Sequence, residues 1–308
     1  IAAEVGIAKG SLYKHFESKD ALVAAVMIRL LKRTREALAA LPMAAALPAV
    51  ADGLETIRQR GRLRVAVNND FAPYSMAGGK GIDADVARAI AAKLGLTAEI
   101  VGYNADEDMN DDLRNMVWKG HYLGTQPSDV MMHVPVDEYL ARSNDKVRIF
   151  GAYHVETLAL ARNPERVPKP LSGSAAVALE IFTREKIGVE TASLADSFLL
   201  GVLNGRLREN VVHYKTVADA AKGMAEGKVA AILAPRAELE AATKGQGNLV
   251  LESPKFPELK VDSWPLGMAV KVEDQALAEA IGSALGSLRN DGTIAAIFKR
   301  YGISHQAI

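Results

Sequence analysis

The stretch Gly61–Ala91 most constrains the fold, because strand, turn and helix patterns follow one another in it without a gap. Leu63–Val67 alternates apolar with polar or small residues and predicts a short β-strand that ends at Asn68–Asp70. Two aromatic residues then flank a proline, and acidic residues open an apolar-periodic helix near Asp83. Open α/β sheets bind ligands in loops beyond the carboxyl ends of strands. We therefore expect a small-molecule site in the aromatic loop.

The composition excludes several classes of protein. The chain has 308 residues, of which 49% are hydrophobic and 24% charged, so we expect a globular protein of two domains. Lys and Arg together number 37, as do Asp and Glu, which argues against a protein built wholly to coat nucleic acid. The absence of cysteine excludes disulfides, thiolate metal sites and a cysteine nucleophile. No apolar run approaches the ~18 residues of a membrane span, so we expect no membrane insertion.

Residues 1–41 carry a separate helical pattern. A helix end at Ile1–Val5, a turn at Gly6–Gly10, a short helix at Ser11–Phe16 and a cap at Ser18 follow the helix-turn-helix layout. The segment closely resembles the second half of the DNA-binding domain of TetR-family repressors, whose first helix is missing here. DNA is therefore an expected partner only if that domain is complete. The resemblance implies that the residues facing phosphates and bases are Lys9, Ser11, Tyr13, Lys14 and His15.

The segment after Met27 has two interpretations, which both stay open. In one, the TetR-like helix continues to Leu41 and residues 42–52 form a linker in a cytoplasmic protein. In the other, a basic start, an apolar stretch at Ala37–Leu47 and a cleavage site at Ala49–Ala51 make a secretory signal. The second interpretation predicts a periplasmic protein.

The remainder of the chain alternates strand and helix patterns and carries motifs at both ends. Gly61, Leu63, Arg64 and Val65 precede the aromatic–proline–aromatic loop and a G-x-D-x-D helix start. The carboxyl-terminal motifs are Trp264–Val270 and the segment that ends at Ile303. These residues resemble the family 3 extracellular solute-binding proteins, which are periplasmic binding proteins of type II.

The resemblance implies an α/β fold of two lobes joined by two crossing hinge strands, following a short all-α helix-turn-helix fragment. Lobe 1 would comprise residues 53–157 and 266–303, and lobe 2 residues 158–265. A small polar solute would bind in the cleft, and the expected partner is an ABC permease.

Two departures from the family affect the expected ligand. Tyr139 stands where the arginine that clamps the ligand carboxylate is expected, and Arg142 follows three residues later. Arg236 stands near the position of the acid that holds the ligand amine. Because a bidentate carboxylate contact needs an arginine, we do not expect an ordinary α-amino acid. Residues 106–137 also resemble a branch associated with quinoprotein dehydrogenases, which implies an accessory role for a periplasmic dehydrogenase.

The candidate ligand residues fall into three groups. The aromatic loop and the strand end supply aromatic and polar contacts, although core packing also explains Tyr74. A histidine ends a buried strand, with its side chain expected at the cleft. A serine and an aspartate at a helix start offer an anion site, although N-capping explains them equally. The expected ligand-binding residues are Asn69, Asp70, Phe71, Tyr74, Asp83, His133, Ser193 and Asp196.

Neither a metal, another cofactor nor an enzymatic activity is expected. The acidic run from Asp106 resembles the start of a calcium loop, but Asp111 and Val117 stand where glycine and glutamate are required. Helix capping by Asn110 explains the run better. No hydrolase, zinc-protease or nucleotide-binding motif occurs, and a cleft carboxylate such as Glu156 has no spacing that favours catalysis. The first alternative to a solute-binding protein is a TetR-like regulator with a solute-binding sensor domain.

Overall fold

The computed structural model describes residues 53–106, 108–121, 124–168 and 173–308. The predicted helix-turn-helix (1–41), the linker or signal region (42–52) and the five predicted DNA-contacting residues lie outside the described residues.

Helices and strands alternate through most of the described ranges, as the patterns predict. The helices are α1 (Gly53–Arg60), α2 (Ile82–Lys93), α3 (Met109–Leu113), α4 (Glu138–Ser143), α5 (Ala175–Ala178), α6 (Leu194–Gly201), α7 (Val217–Ala225), α8 (Arg236–Ala242), α9 (Gln275–Asn290) and α10 (Thr293–Tyr301). The strands are β1 (Arg62–Asn68), β2 (Asp70–Phe71), β3 (Ser75–Met76), β4 (Thr97–Tyr103), β5 (Val130–Pro135), β6 (Val147–Arg162), β7 (Ile187–Glu190), β8 (Val211–Tyr214), β9 (Ala231–Pro235), β10 (Val250–Glu252) and β11 (Ser263–Lys271).

Two parallel groups of strands are linked by a pair of antiparallel strands. In the described part of the chain, the sheet order is β4-β1-β5-β11-β6-β9-β7-β8, with β10 added on β6. Strands β4, β1 and β5 are parallel, as are β9, β7 and β8. Strand β6 pairs with β11 from Val147 to Thr157 and with β9 from Leu158 to Arg162. The fold is therefore a mixed α/β fold with the two lobes and crossing strands of periplasmic binding proteins.

Each lobe has its own apolar core. Side chains of β1, α2, α9 and α10 bury one core, whose largest members include Ile90 and Phe298. Side chains of β7, α6 and the segment around Phe182 bury the other. Trp264 on β11 packs against both cores. The lobe boundary near residues 157 and 158 stays a proposal. It is supported by the change, at this point, in the strand that pairs with β6.

A glycine fixes the aromatic loop against helix α2. Gly81 has a φ of 117°, and a Cβ there would lie 2.3 Å from the carbonyl oxygen of Tyr74, so no other residue fits without moving the loop. The Asp83 N–H donates to that same carbonyl oxygen at 2.8 Å. The loop is thus joined to the first turn of the helix by backbone contacts.

The acidic residues before α3 cap this helix, as predicted, but the capping residue is Asp108 rather than Asn110. The carboxylate of Asp108 accepts hydrogen bonds from the backbone N–H groups of Asn110 and Asp111. The prediction that Asn110 caps the helix was wrong, because Asn110 already lies inside the first turn. The residues that follow α3, Arg114–Trp118, form a π-helical turn. No described helix has the length and apolar character needed to cross a bilayer.

Candidate functional site

A cavity of about 340 Å³ lies between the aromatic loop and the second lobe. It opens at the carboxyl ends of β1, β7, β8 and β9, where open α/β sheets bind ligands. Its volume is at the lower end of the range for small-molecule pockets. The lining residues are Asp70, Phe71, Ala72, Glu190, Thr216, Val217, Ala218, Glu238, Ala241 and Ala242.

Three carboxylates reach the cavity from separate elements. Asp70 is the first residue of β2, two residues after the end of β1. Glu190 is the last residue of β7, and Glu238 lies in the first turn of α8, just after β9. All three therefore come from the carboxyl ends of parallel strands or the residues that follow. The parallel arrangement brings together acids that are far apart in sequence.

Glu238 is the most unusual of the three acids. Glu238 is 8% exposed, and no hydrogen-bond or ion-pair partner for its carboxylate occurs among the described residues. Burial, followed by repulsion from Glu190 and Glu156, raises the pKa of Glu238 well above its ordinary value. An unpaired carboxylate of this kind is costly to ionise in the absence of a ligand.

Glu190 is half-buried at the end of β7, and the backbone N–H of Val217, at the start of α7, favours its ionised form. Burial is the main cause that raises the pKa of Glu190, and the charge of Asp70 adds to it. Asp70 and Glu190 thus face each other across the cavity from the two lobes.

No basic side chain is among the residues lining this cavity in the described part of the chain. Tyr139 is 81% exposed, and the nearby Arg142 pairs with Glu138 on the surface of α4. The guanidinium of Arg236 donates instead to Glu240 at 2.9 Å and to Ser253 at 3.0 Å. The site therefore has no arginine placed to hold a carboxylate in this cavity.

Phe71 forms the aromatic wall of the cavity, and a buried cluster supports it. The ring of Phe71 lies 5.7 Å from that of Tyr74 and 4.7 Å from that of His133. Nδ1 of His133 lies 3.1 Å from one carboxylate oxygen of Asp83, and the other oxygen accepts a hydrogen bond from the hydroxyl of Tyr153 at 2.6 Å. Burial and the Asp83 charge raise the pKa of Tyr153. The cluster holds the loop from behind.

Glu156 connects the two lobes below the cavity. It lies on β6 and accepts the hydroxyl of Tyr74 at 2.5 Å and the backbone N–H of Arg236, at the start of α8, at 3.1 Å. Burial raises the pKa of Glu156, although the hydrogen bond from Tyr74 opposes the shift. The contacts with both the aromatic loop and α8 make Glu156 a positioning residue.

The structure separates the predicted ligand residues into three positions. Asp70 and Phe71 line the cavity, whereas Tyr74, Asp83 and His133 lie in the cluster behind Phe71. The side chain of Asn69 donates to Asn104 at 3.1 Å and lies outside the lining. A ligand contact by any of these residues stays a prediction.

Ser193 and Asp196 serve the start of helix α6. Oγ of Ser193 accepts the Asp196 N–H at 3.1 Å, and the Asp196 carboxylate accepts the Ala192 N–H at 2.8 Å. Asp196 also lies 3.0 Å from Nε2 of His213. The carboxylate occupies the N–H group that an anionic ligand would need, so N-capping accounts for both residues.

Sequence patterns did not find three of the polar residues that line the cavity. Glu190 ends the apolar strand Ile187–Val189, which is a usable signal of a site residue. Thr216 caps α7 and has an ordinary structural explanation. Glu238 lies within a polar helix and carries no sequence signal of its own. In the described part of the chain, no three His, Cys, Asp or Glu side chains are arranged to hold a metal ion.

Comparison with known proteins finds a family match for the first residues of the chain and similar folds for the rest. Residues 1–26 match the family described as bacterial regulatory proteins, tetR family. A search of curated protein sequences found no match.

Solved structures of similar fold belong to binding proteins and a sensor. An ancestral cationic amino acid solute-binding protein is 20% identical with a TM-score of 0.62, covering 80% of this chain and 98% of its own. An amino acid ABC transporter substrate-binding protein from Streptococcus pneumoniae bound to L-arginine is 17% identical with a TM-score of 0.57, covering 82% and 99%. A histidine kinase sensor domain similar to periplasmic binding proteins is 20% identical with a TM-score of 0.53, covering 80% and 98%. At these identities the likeness shows the fold.

Proposed function

We propose that residues 53–303 form a solute-binding protein that closes its two lobes on a small polar ligand. The observation that carries the proposal is the cavity lined by Asp70 and Phe71 from one lobe and by Glu190, Thr216 and Glu238 from the other. A ligand that contacts both sets of residues favours the closed form, since it interacts with both lobes only there.

The crossing strands suit this motion. Strands β6 and β11 form the connection between the sheets, so small φ/ψ changes near Thr157 and Ser263 would rotate the lobes as rigid bodies. Glu156 would stay attached to the aromatic loop and α8 during closure, because its hydrogen bonds come from both.

A thermal-shift screen tests the proposal directly. The purified chain is heated with a panel of anionic, neutral, zwitterionic and cationic small solutes. Ligand binding to the native state raises Tm in a concentration-dependent way. We expect at least one solute to do so, and Phe71→Ala to abolish the shift. If no solute in any class changes Tm, the proposed function is wrong.

The bound solute has two candidate destinations. The first expectation is that the protein delivers the solute from the periplasm to an ABC importer, because the similar Streptococcus pneumoniae protein is a substrate-binding protein of an ABC transporter. Assistance to a periplasmic quinoprotein dehydrogenase is the other, and it rests on the resemblance of residues 106–137. Co-purification of a permease or a dehydrogenase with the tagged chain distinguishes the two.

A regulator that senses the solute is the second candidate. The tetR-family match at residues 1–26 and the similarity to a kinase sensor domain favour it. Two measurements separate it from the exported protein. Mass spectrometry of the native protein that shows a start at Asp52 contradicts the regulator, whereas a solute-dependent mobility shift of DNA by the full gene product contradicts export.

A further inference from the structure

We propose that the cleft takes an organic cation without a carboxylate, namely an amine, amidine or guanidinium on an apolar body. The cationic group would donate hydrogen bonds to Asp70, Glu190 and Glu238. This inference rests on the proposed solute-binding function and specifies its ligand class.

The charge of the lining supports a cation. Three carboxylates and no basic side chain are among the residues that line the cavity, within the described ranges. Glu238 is more than nine-tenths buried, and its carboxylate has no hydrogen-bond partner among the described residues. A buried carboxylate in this position needs a donor, and a ligand N–H group with a positive charge is the donor that satisfies it best.

The rest of the lining supports an organic cation over a metal ion. The described residues contain no arrangement of three metal-ligating side chains, so the three acids do not form a metal cage. Phe71, Val217 and Ala241 provide apolar surface in the same cavity. An aromatic ring beside carboxylates attracts a cationic group by cation–π interaction while it packs against carbon atoms.

The contacts that already occupy the nearby arginines argue against a carboxylate on the ligand. Arg142 pairs with Glu138, and Arg236 donates hydrogen bonds to Glu240 and Ser253. Neither guanidinium group is therefore available to a carboxylate in this cavity. A carboxylate on the ligand would instead enter a cavity lined by three acids. Like charges in a low-dielectric site repel, so a zwitterion would bind more weakly than the matching amine.

Pairs of compounds that differ by one carboxylate test the inference. Isothermal titration calorimetry measures binding of agmatine against L-arginine, and of cadaverine against L-lysine, to the purified chain. We expect each amine to bind at least tenfold more tightly than its amino acid. Equal or tighter binding of the amino acids overturns the inference while leaving the solute-binding function intact.

A charge-removing variant tests whether Glu238 contacts the cation. Glu238→Gln keeps the shape of the side chain and removes its charge, so we expect at least tenfold weaker binding of agmatine. Glu226→Gln makes the same change at an exposed glutamate that pairs with Lys228 outside the cavity, and we expect an unchanged Kd. Unchanged binding by the Glu238→Gln protein contradicts the assignment. If only anionic or neutral solutes bind, the ligand class is wrong, and if none binds, the proposed function fails with it.

Discussion

Glu238 combines burial, an ionisable carboxyl group and the lack of a partner among the described residues. Folded proteins rarely keep such a group unless it contacts a ligand or serves a function. Burial disfavours the ionised form of Glu238, and the charges of Glu190 and Glu156 repel it. The folded state therefore binds a proton at Glu238 more tightly than the unfolded chain does.

This difference predicts a pH dependence of stability. Because the folded pKa lies above the ordinary value of 4.5, the contribution of the protonated group is complete below that pH and decreases as the pH rises. One such group changes the free energy of unfolding by at most about 1.4 kcal/mol per pH unit. We expect Glu238→Gln to raise Tm over the wild type at pH 8 and to differ little at pH 4, as measured by calorimetry. A constant difference across this range would contradict the prediction.

A buried histidine gives the opposite dependence in acid. His154 is 2% exposed, its ring lies 4.5 Å from that of Phe298, and its Nδ1 accepts the Gln306 N–H at 3.2 Å. Burial, followed by the charges of His305 and His133, lowers the pKa of His154 to about 3. The unfolded chain binds the proton first, so stability decreases as the pH falls from 6.5 towards 3.

We expect His154→Gln to reduce that acid sensitivity. The neutral amide can accept the same N–H group, so the loss of a few kcal/mol between pH 6.5 and pH 4 should become smaller in urea unfolding curves. If the wild type and the variant lose stability in parallel, other groups cause the acid unfolding.

At the level of elements, the aromatic loop, β6 and α8 meet at one hydrogen-bonded carboxylate. Glu156 on β6 accepts the Tyr74 hydroxyl from the loop and the Arg236 N–H from α8. Tyr74 is 1% exposed, and burial followed by the Glu156 charge raises its pKa. The two cavity walls thus depend on the same buried contact.

Removal of the Tyr74 hydroxyl tests this contact. Tyr74→Phe leaves a carboxylate oxygen of Glu156 without that donor, so we expect a loss of about 1–3 kcal/mol in the free energy of unfolding. Tyr139→Phe is the matched control, because Tyr139 lies exposed on α4, and it should change stability by less than about 0.5 kcal/mol. Equal effects of the two substitutions in urea unfolding would show that the contact contributes little.

For the whole molecule, lobe closure should be visible at Trp264. The chain has two tryptophans, and Trp264 contacts both cores next to the crossing strands, whereas Trp118 lies on the first lobe. We expect agmatine to change the fluorescence of the Trp118→Phe protein, which reports on Trp264 alone. The Trp264→Phe protein serves as the control, and a signal that persists only there would contradict closure at the hinge.

Much of the fold could be predicted from local patterns. The alternation at Leu63–Val67 gave a buried strand, and the periodic helix that follows begins at Ile82. Both signals depend on side chains a few residues apart, which the backbone geometry relates directly. The cap at α3 was assigned to the wrong residue, because Asp and Asn suit the N-cap almost equally and helix ends are set by tertiary contacts.

The sequence by itself determined the α/β class and the aromatic loop at a strand end, because each depends on residue type at a known position in a local pattern. Only the tertiary structure decided which polar groups share the cavity. Asp70, Glu190 and Glu238 come from three distant segments, and their convergence depends on strand order and on how the crossing strands join the lobes. Burial of Glu238, and with it the inferred charge of the ligand, follows from that packing.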